Sequence, residues 1–110
     1  MIYEIAMLPV QKDEISEFRQ AFGDVVPLLK RARGYRGHVL AQGVETPEVF
    51  NLIVRWRSLN DHTPGFEASE DHEQFMEGIR DYFSGEPTVY HLEGDNSGWS
   101  DYRHGKSGAA

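Results

Sequence analysis

The sequence predicts an α+β domain with the ferredoxin-like order β-α-β-β-α-β, its helices gathered on one face of a four-stranded sheet. Three observations predict it. Four short segments, Ile2–Leu8, Tyr35–Gln42, Phe50–Trp56 and Thr88–Glu93, alternate with the two-residue period of strands. Two longer segments carry apolar residues at the three- and four-residue spacing of a helix face. The link between the second and third strands is a short turn, Val44–Glu48, containing Pro47. A link that short makes an antiparallel hairpin and excludes a crossover.

In Ile2–Leu8, Tyr3, Ile5 and Met7 alternate with Ile2, Glu4, Ala6 and Leu8, and Pro9 ends the strand. Lys12–Arg33 reads as a helix whose stripe is Ile15, Phe18 and Phe22, continued by Val25, Val26 and Leu29. Pro27 lacks a backbone donor, so a kink or break is expected near Gly23–Val26. Lys30, Arg31 and Arg33 suit the negative end of the helix dipole, and Gly34 suits a left-handed cap. In the third strand, Phe50, Leu52, Val54 and Trp56 share one face, while Asn51, Ile53 and Arg55 share the other. Bulky groups on both faces predict a central strand covered on both sides. Ser58-Leu59-Asn60-Asp61 has the capping pattern of a short helix, which Pro64-Gly65 should break. Ser69 caps a longer helix with Glu70, Asp71 and Glu73 in its first turn and a stripe of Phe75, Met76, Ile79, Tyr82 and Phe83. Ser84–Pro87 stops it before the last strand.

Length and composition narrow the class. A chain of 110 residues is one domain, expected to span residues 1–94, with 95–110 as a Gly-rich C-terminal tail. Trp99 and Tyr102 in that tail would favour burial, for which docking on a partner subunit is one expectation. A net charge of −7 gives no electrostatic footprint for nucleic acid. With no cysteine there are no disulfides, thiolate metal sites or Cys nucleophile. No run approaches the ~20 apolar residues of a membrane span, and a cytoplasmic location is the default expectation. No Gly-rich phosphate loop or dinucleotide fingerprint occurs, so no cofactor is implied. Helices can cover only one sheet face, so the second apolar face predicts a homodimer.

A family resemblance rests on particular residues. Val54-Arg55-Trp56-Arg57-Ser58, then Asp61-His62, Gly65-Phe66-Glu67-Ala68-Ser69 and Pro87-Thr88-Val89-Tyr90-His91, with Gly34-Tyr35 and Gly37, resemble the antibiotic biosynthesis monooxygenase domain family. The resemblance runs over roughly Ile2–Glu93. It implies a dimeric α/β barrel with a pocket between helices and sheet in each subunit. Characterised members include cofactor-free oxygenases of electron-rich phenols or quinols, haem-degrading enzymes and proteins of no known reaction. The cofactor-free members match this chain at Trp56, but carry an Asn four residues earlier, where Leu52 stands; Asn51 points to the opposite face. The haem-degrading members use a strand-one Asn, a Trp and a ligating His. Here strand one offers Glu4, Ala6 and Met7, while Phe66 stands at the Trp position and Met76 near the His position.

The resulting function reading is a cofactor-independent monooxygenase of a small phenolic or quinol-like metabolite. The other reading is a non-catalytic dimeric small-molecule-binding or stress-related protein on the same fold. The catalytic candidates are His62 and Trp56. Because histidine ordinarily titrates near neutral pH and Asp61 could orient it, His62 could act as a general base from a lid-like element, or be a polar surface residue. Trp56 is a core aromatic at a strand end or a stacking surface for a substrate ring. The substrate-binding candidates are Phe66, Arg55, Tyr90 and His91. Arg55 and Arg57 need carboxylate partners if buried, which Glu4 or Glu93 could supply. His72, in a helix first turn, is expected in solvent. His38 and His91 face either pocket or dimer seam, and no His spacing supports a metal site.

Overall fold

The computed structural model describes residues 1–95. The expected tail, from residue 96 onward, lies outside the described residues. Strand β1 (Ile2–Pro9) leads through α1 (Ile15–Lys30) to β2 (Tyr35–Gln42) and β3 (Val49–Trp56). A short helical segment, Asp61–Phe66, precedes α2 (Glu70–Ile79), a tight turn of helix at Arg80–Tyr82, and β4 (Thr88–Glu93). The sheet order is β2-β3-β1-β4, antiparallel at every pairing. Each helix therefore carries the chain over one intervening strand, which is the ferredoxin-like α+β arrangement the sequence predicts.

Strand periodicity decides the core. Opposite one another in register, Glu4, Ala6 and Leu8 of β1 and Phe50, Leu52 and Val54 of β3 all face the helices and are buried, as is Trp56. Phe18, Phe22 and Leu29 of α1 and Phe75 and Ile79 of α2 close over them. The Phe18 ring centre lies 4.9 Å from that of Phe50 and 6.2 Å from that of Phe22. Burying such side chains contributes roughly 1.5–3 kcal/mol each. The α2 cap is formed as expected: the Ser69 hydroxyl accepts from the His72 backbone N–H at 3.1 Å.

Several expectations are corrected. Helix α1 is shorter than Lys12–Arg33 and runs unbroken through Pro27. Gly23, whose carbonyl would have bonded the missing N–H, is on the exposed side, where water can satisfy it. Gly34 does adopt the left-handed region, φ 84°, but opens β2 three residues after the helix cap at Arg31. The Ser58 cap forms, with the Asp61 N–H donating to its hydroxyl at 3.3 Å. The segment it starts is interrupted at Thr63, in extended backbone, and continues past Pro64-Gly65 to Phe66. Tyr82 and Phe83 lie beyond α2 rather than in its stripe. The outer side of β3 is only half-covered: Asn51, Ile53 and Arg55 are partly exposed in this chain.

Candidate functional site

Sheet register builds the site. Strand β1 lies between β3 and β4, so Glu4 stands opposite Val54 on one side and His91 on the other, all on the helix face. Trp56 is one inward-facing pair further along, opposite Ile2. Its indole Nε1–H donates to Glu4 Oε1 at 3.0 Å across 52 residues of sequence. After Trp56 the chain turns back over this end of the sheet. Asp61 holds the turn: it takes two bonds from the Arg57 guanidinium, both at 2.9 Å, and one from the Ser58 hydroxyl at 2.9 Å. The Arg57 bonds, with that of Ser58, hold its carboxyl below the usual carboxylate range.

The turn delivers His62 into the core. Its ring stacks on Trp56, 5.2 Å between centres and 20° between planes. Nε2 lies 3.3 Å from Glu4 Oε1, and Nδ1 lies 2.8 Å from His91 Nε2. His62 is 3% exposed and Glu4 7%. Burial sets their protonation, because charge in a water-poor interior is costly. It pushes the Glu4 carboxyl up to about 7, against the lowering effect of the Trp56 bond, with the nearby Glu67 charge adding to the rise. It pulls His62 down to about 4, partly opposed by Glu67 and reinforced by His91 and His72. Both directions disfavour charge here, so at neutral pH the Glu4 carboxyl is near its own titration point beside an uncharged imidazole.

Glu4 and His62 form one end of a cavity of about 190 Å³ between helices and sheet. Its walls are otherwise mainly apolar, including Ala6, Leu52, Phe66, Phe75 and Ile79, with Glu67 and His72 as further titratable groups. The Phe66 ring lies 5.8 Å from Trp56 and meets His72 edge-on at 5.2 Å. At the other end of the interface Phe18 and Phe22 fill the space. A larger open cleft of about 680 Å³ lies outside Phe66. Two of its arginines are neutralised there, Arg31 by Asp71 at 2.7 Å and Arg57 by Asp61 at 2.9 Å.

The candidates separate by face. His62, Phe66 and the cavity come together, with Trp56 behind His62 and His91 at its far nitrogen. Arg55 and Tyr90 do not join them. Both lie on the outer sheet face, one step out of phase with Trp56 and His91. Arg55 donates to the Arg36 carbonyl at 3.1 Å rather than to Glu4 or Glu93, and lines an outer groove with Tyr3, Val39 and Ile53. Asp61 does not orient His62, since its oxygens are occupied by Arg57 and Ser58; Glu4 does. His62 is not on an exposed lid, and His72 is half-buried against the cavity rather than solvated. His38 Nδ1 lies 2.6 Å from the Tyr35 hydroxyl and makes its hydrogen bond there, not with Glu4 or His62. The sequence reading missed Glu4 as a site residue. Its signal was a lone carboxylate at an inward strand position between Ile2 and Ala6. Among the described residues, no group of three or more His, Asp or Glu could hold a metal ion, and no helix is long and apolar enough to cross a membrane.

A four-stranded antiparallel sheet with helices on one face and an acid–imidazole cluster beneath them defines a ferredoxin-like pocket protein. The chain belongs to the antibiotic biosynthesis monooxygenase family, whose sequence pattern matches residues 1–78. It is 31% identical over 93 residues to YczJ of Bacillus subtilis (strain 168), an uncharacterised protein, covering 84% of this chain and 98% of that one. A Bordetella bronchiseptica structure bearing the same family name is 30% identical, with a TM-score of 0.81 over 86% of this chain and 96% of its own. A variant of SnoaB, a cofactor-independent oxygenase from Streptomyces nogalater, shares the fold at 14% identity and a TM-score of 0.70, over 86% of this chain and 95% of its own.

Proposed function

We propose that the protein is a cofactor-independent monooxygenase that converts a small electron-rich phenol or hydroquinone-like ring to a quinone. The observation that carries this reading is the buried Glu4–His62 pair at the end of an apolar cavity. A carboxyl raised to about 7 is matched to proton transfer at neutral pH. The cavity, about 190 Å³, is below the ~300 Å³ of ordinary drug-sized sites, which favours a compact ring over a polycycle. The family name and the SnoaB likeness support oxygen chemistry.

The ionised Glu4 carboxylate takes the phenolic proton, and the neutral His62, 3.3 Å away, steadies the exchange. The electron-rich phenolate gives an electron to O₂, and the radical pair joins to form a C–O bond at a ring carbon bearing hydrogen. The peroxide takes a proton back from the pair. Loss of the ring C–H proton with O–O cleavage yields quinone and water. One oxygen atom enters the ring and the other leaves as water, so O₂ supplies the whole oxidation. Trp56 behind His62 and the walls Phe66 and Phe75 exclude water from the reacting atoms.

A second reading, a non-catalytic binding protein on the same fold, is favoured by the small cavity and by the Phe18–Phe22 packing that closes the rest of the interface. One experiment separates them. Electron-rich phenols and hydroquinones are screened in parallel for oxygen uptake and for thermal stabilisation. Oxygen uptake that falls by ~10²-fold or more in Glu4→Gln and His62→Ala, with the fold retained, is the expected result. Stabilisation without uptake for the same compounds would favour the binding reading, and equal rates in wild type and both variants would remove the pair from the chemistry.

A further inference from the structure

We propose that Glu4, His62 and His91 form a proton relay connecting the cavity to solvent at strand β4, with His91 the residue that exchanges the proton with water. The proposal rests on the reading of Glu4–His62 as the proton acceptor and extends it to a side chain outside the cavity wall.

The chain of contacts is continuous. Glu4 Oε1 reaches His62 Nε2 at 3.3 Å, and His62 Nδ1 reaches His91 Nε2 at 2.8 Å. These contacts use opposite nitrogens of one imidazole. Such a ring can take a proton on one nitrogen while releasing one from the other. Burial leaves the pair without a direct route to water. Glu4 and His62 are 7% and 3% exposed, so neither exchanges freely with water. His91 is half-buried and stands on β4, the edge strand, beside Glu4 in register. The two other titratable groups facing the chain are Glu67 and His72, across the cavity. Glu67 acts on Glu4 and His62 through its charge, and His72 acts on His62 in the same way. Neither side chain hydrogen-bonds to Glu4 or His62 among the described residues. They bias the protonation level without offering a path.

Protons balance along this route. Glu4 accepts the substrate proton and passes it to His62 Nε2. His62 Nδ1–H goes to His91 Nε2, and His91 gives up its outer Nδ1–H to water. One proton enters and one leaves. Returning a proton to the peroxide runs the same path backwards and restores both tautomers.

The merely structural role for His91 is to satisfy the buried His62 Nδ1. His91→Gln separates the two roles, because an amide still offers that nitrogen a partner but neither takes up nor releases a proton near neutral pH. In the substrate-free full-length protein with ¹³C-labelled glutamate, the Glu4 carboxyl of wild type is expected to give one averaged signal through its titration. In His91→Gln its exchange with water slows by about tenfold or more, and the signal broadens or splits. His91→Ala is the second variant, and added imidazole is expected to restore its exchange. With a turned-over phenol, His91→Gln lowers kcat by about tenfold or more, short of the ~10²–10⁴-fold of general acid–base catalysis because Glu4 still takes the proton, at unchanged KM and with a larger solvent isotope effect. Unchanged Glu4 exchange in His91→Gln overturns the relay. That measurement needs no substrate, so it decides even if no phenol is oxidised, an outcome that would count against the oxygenase reading alone.

Discussion

The Glu4–His62 pair has opposite linkage signs. Glu4 is raised from 4.5 to about 7, so its contribution to stability is full below pH 4.5 and is lost as pH rises towards 7. His62 is lowered from 6.5 to about 4, so its contribution is full above pH 6.5 and is lost as pH falls towards 4. Between about 4.5 and 6.5 the two slopes oppose one another, and the pair itself contributes little pH dependence. Removing one member exposes the other. Relative to wild type, Glu4→Gln is expected to tilt stability upward with pH across that window, by up to about 1.4 kcal/mol per pH unit. His62→Phe is expected to tilt it the other way. Urea midpoints measured from pH 4 to 7.5 check this, and parallel curves for all three proteins would show that the shifts are not properties of the folded state. Comparing variants with wild type cancels His38, His72, Asp61 and Asp71, which titrate in all three.

At the scale of elements, the position of His62 depends on the turn between β3 and α2, and that turn leans on Gly34. Gly34 has φ 84°, a conformation L side chains rarely adopt, and its carbonyl accepts from the Arg57 N–H at 2.8 Å. A Cβ at this position would overlap the Asp61 carboxylate. Gly34→Ala therefore combines backbone strain with displacement of the residue that anchors the turn through Arg57 and Ser58. It is expected to cost on the order of 2 kcal/mol or more. It is also expected to shift the His62 and His91 ring resonances, although neither touches Gly34. Chemical denaturation and ¹⁵N-histidine spectra test both parts. A loss below about 0.5 kcal/mol with unmoved His62 signals would show that the turn holds itself without this contact.

At the scale of the whole molecule, no helix among the described residues covers one sheet face. Met7, Val39, Tyr90 and Leu92 expose 40%, 52%, 47% and 53% of their surface, with Ile53 partly exposed between them. Four strands present this face and both helices lie on the other. An apolar sheet face of this kind is expected to pair with a second copy and bury on the order of 2,000 Å² or more in total. Sedimentation at micromolar concentration is expected to show a dimer. Replacing Val39 and Leu92 together by Lys, one on each edge strand, is expected to give a folded monomer. A wild-type monomer under those conditions would remove the sheet-to-sheet dimer.

Much of this architecture was legible because it is local. Period-two alternation in Phe50–Trp56 assigned each side chain to a face, and Ser69 with its acidic neighbours marked the start of α2. A short turn at Pro47 required a hairpin, and the element order then left few topologies. Trp56 and His62 are recognisable as candidates, and the same alternation puts Arg55 on the face opposite Trp56, and Tyr90 on the face opposite His91, away from this cavity. What the sequence by itself determined, then, was the set of elements, their order and the family. Tertiary structure decided the chemistry of the site. Glu4, Trp56, His62 and His91 meet because β1 inserts between β3 and β4, and because the Asp61 turn folds back over them. Their protonation follows from burial, which no single segment of the chain possesses before the helices close over the sheet: desolvation is a property of the assembled core, and it acts in opposite directions on a carboxyl and an imidazole.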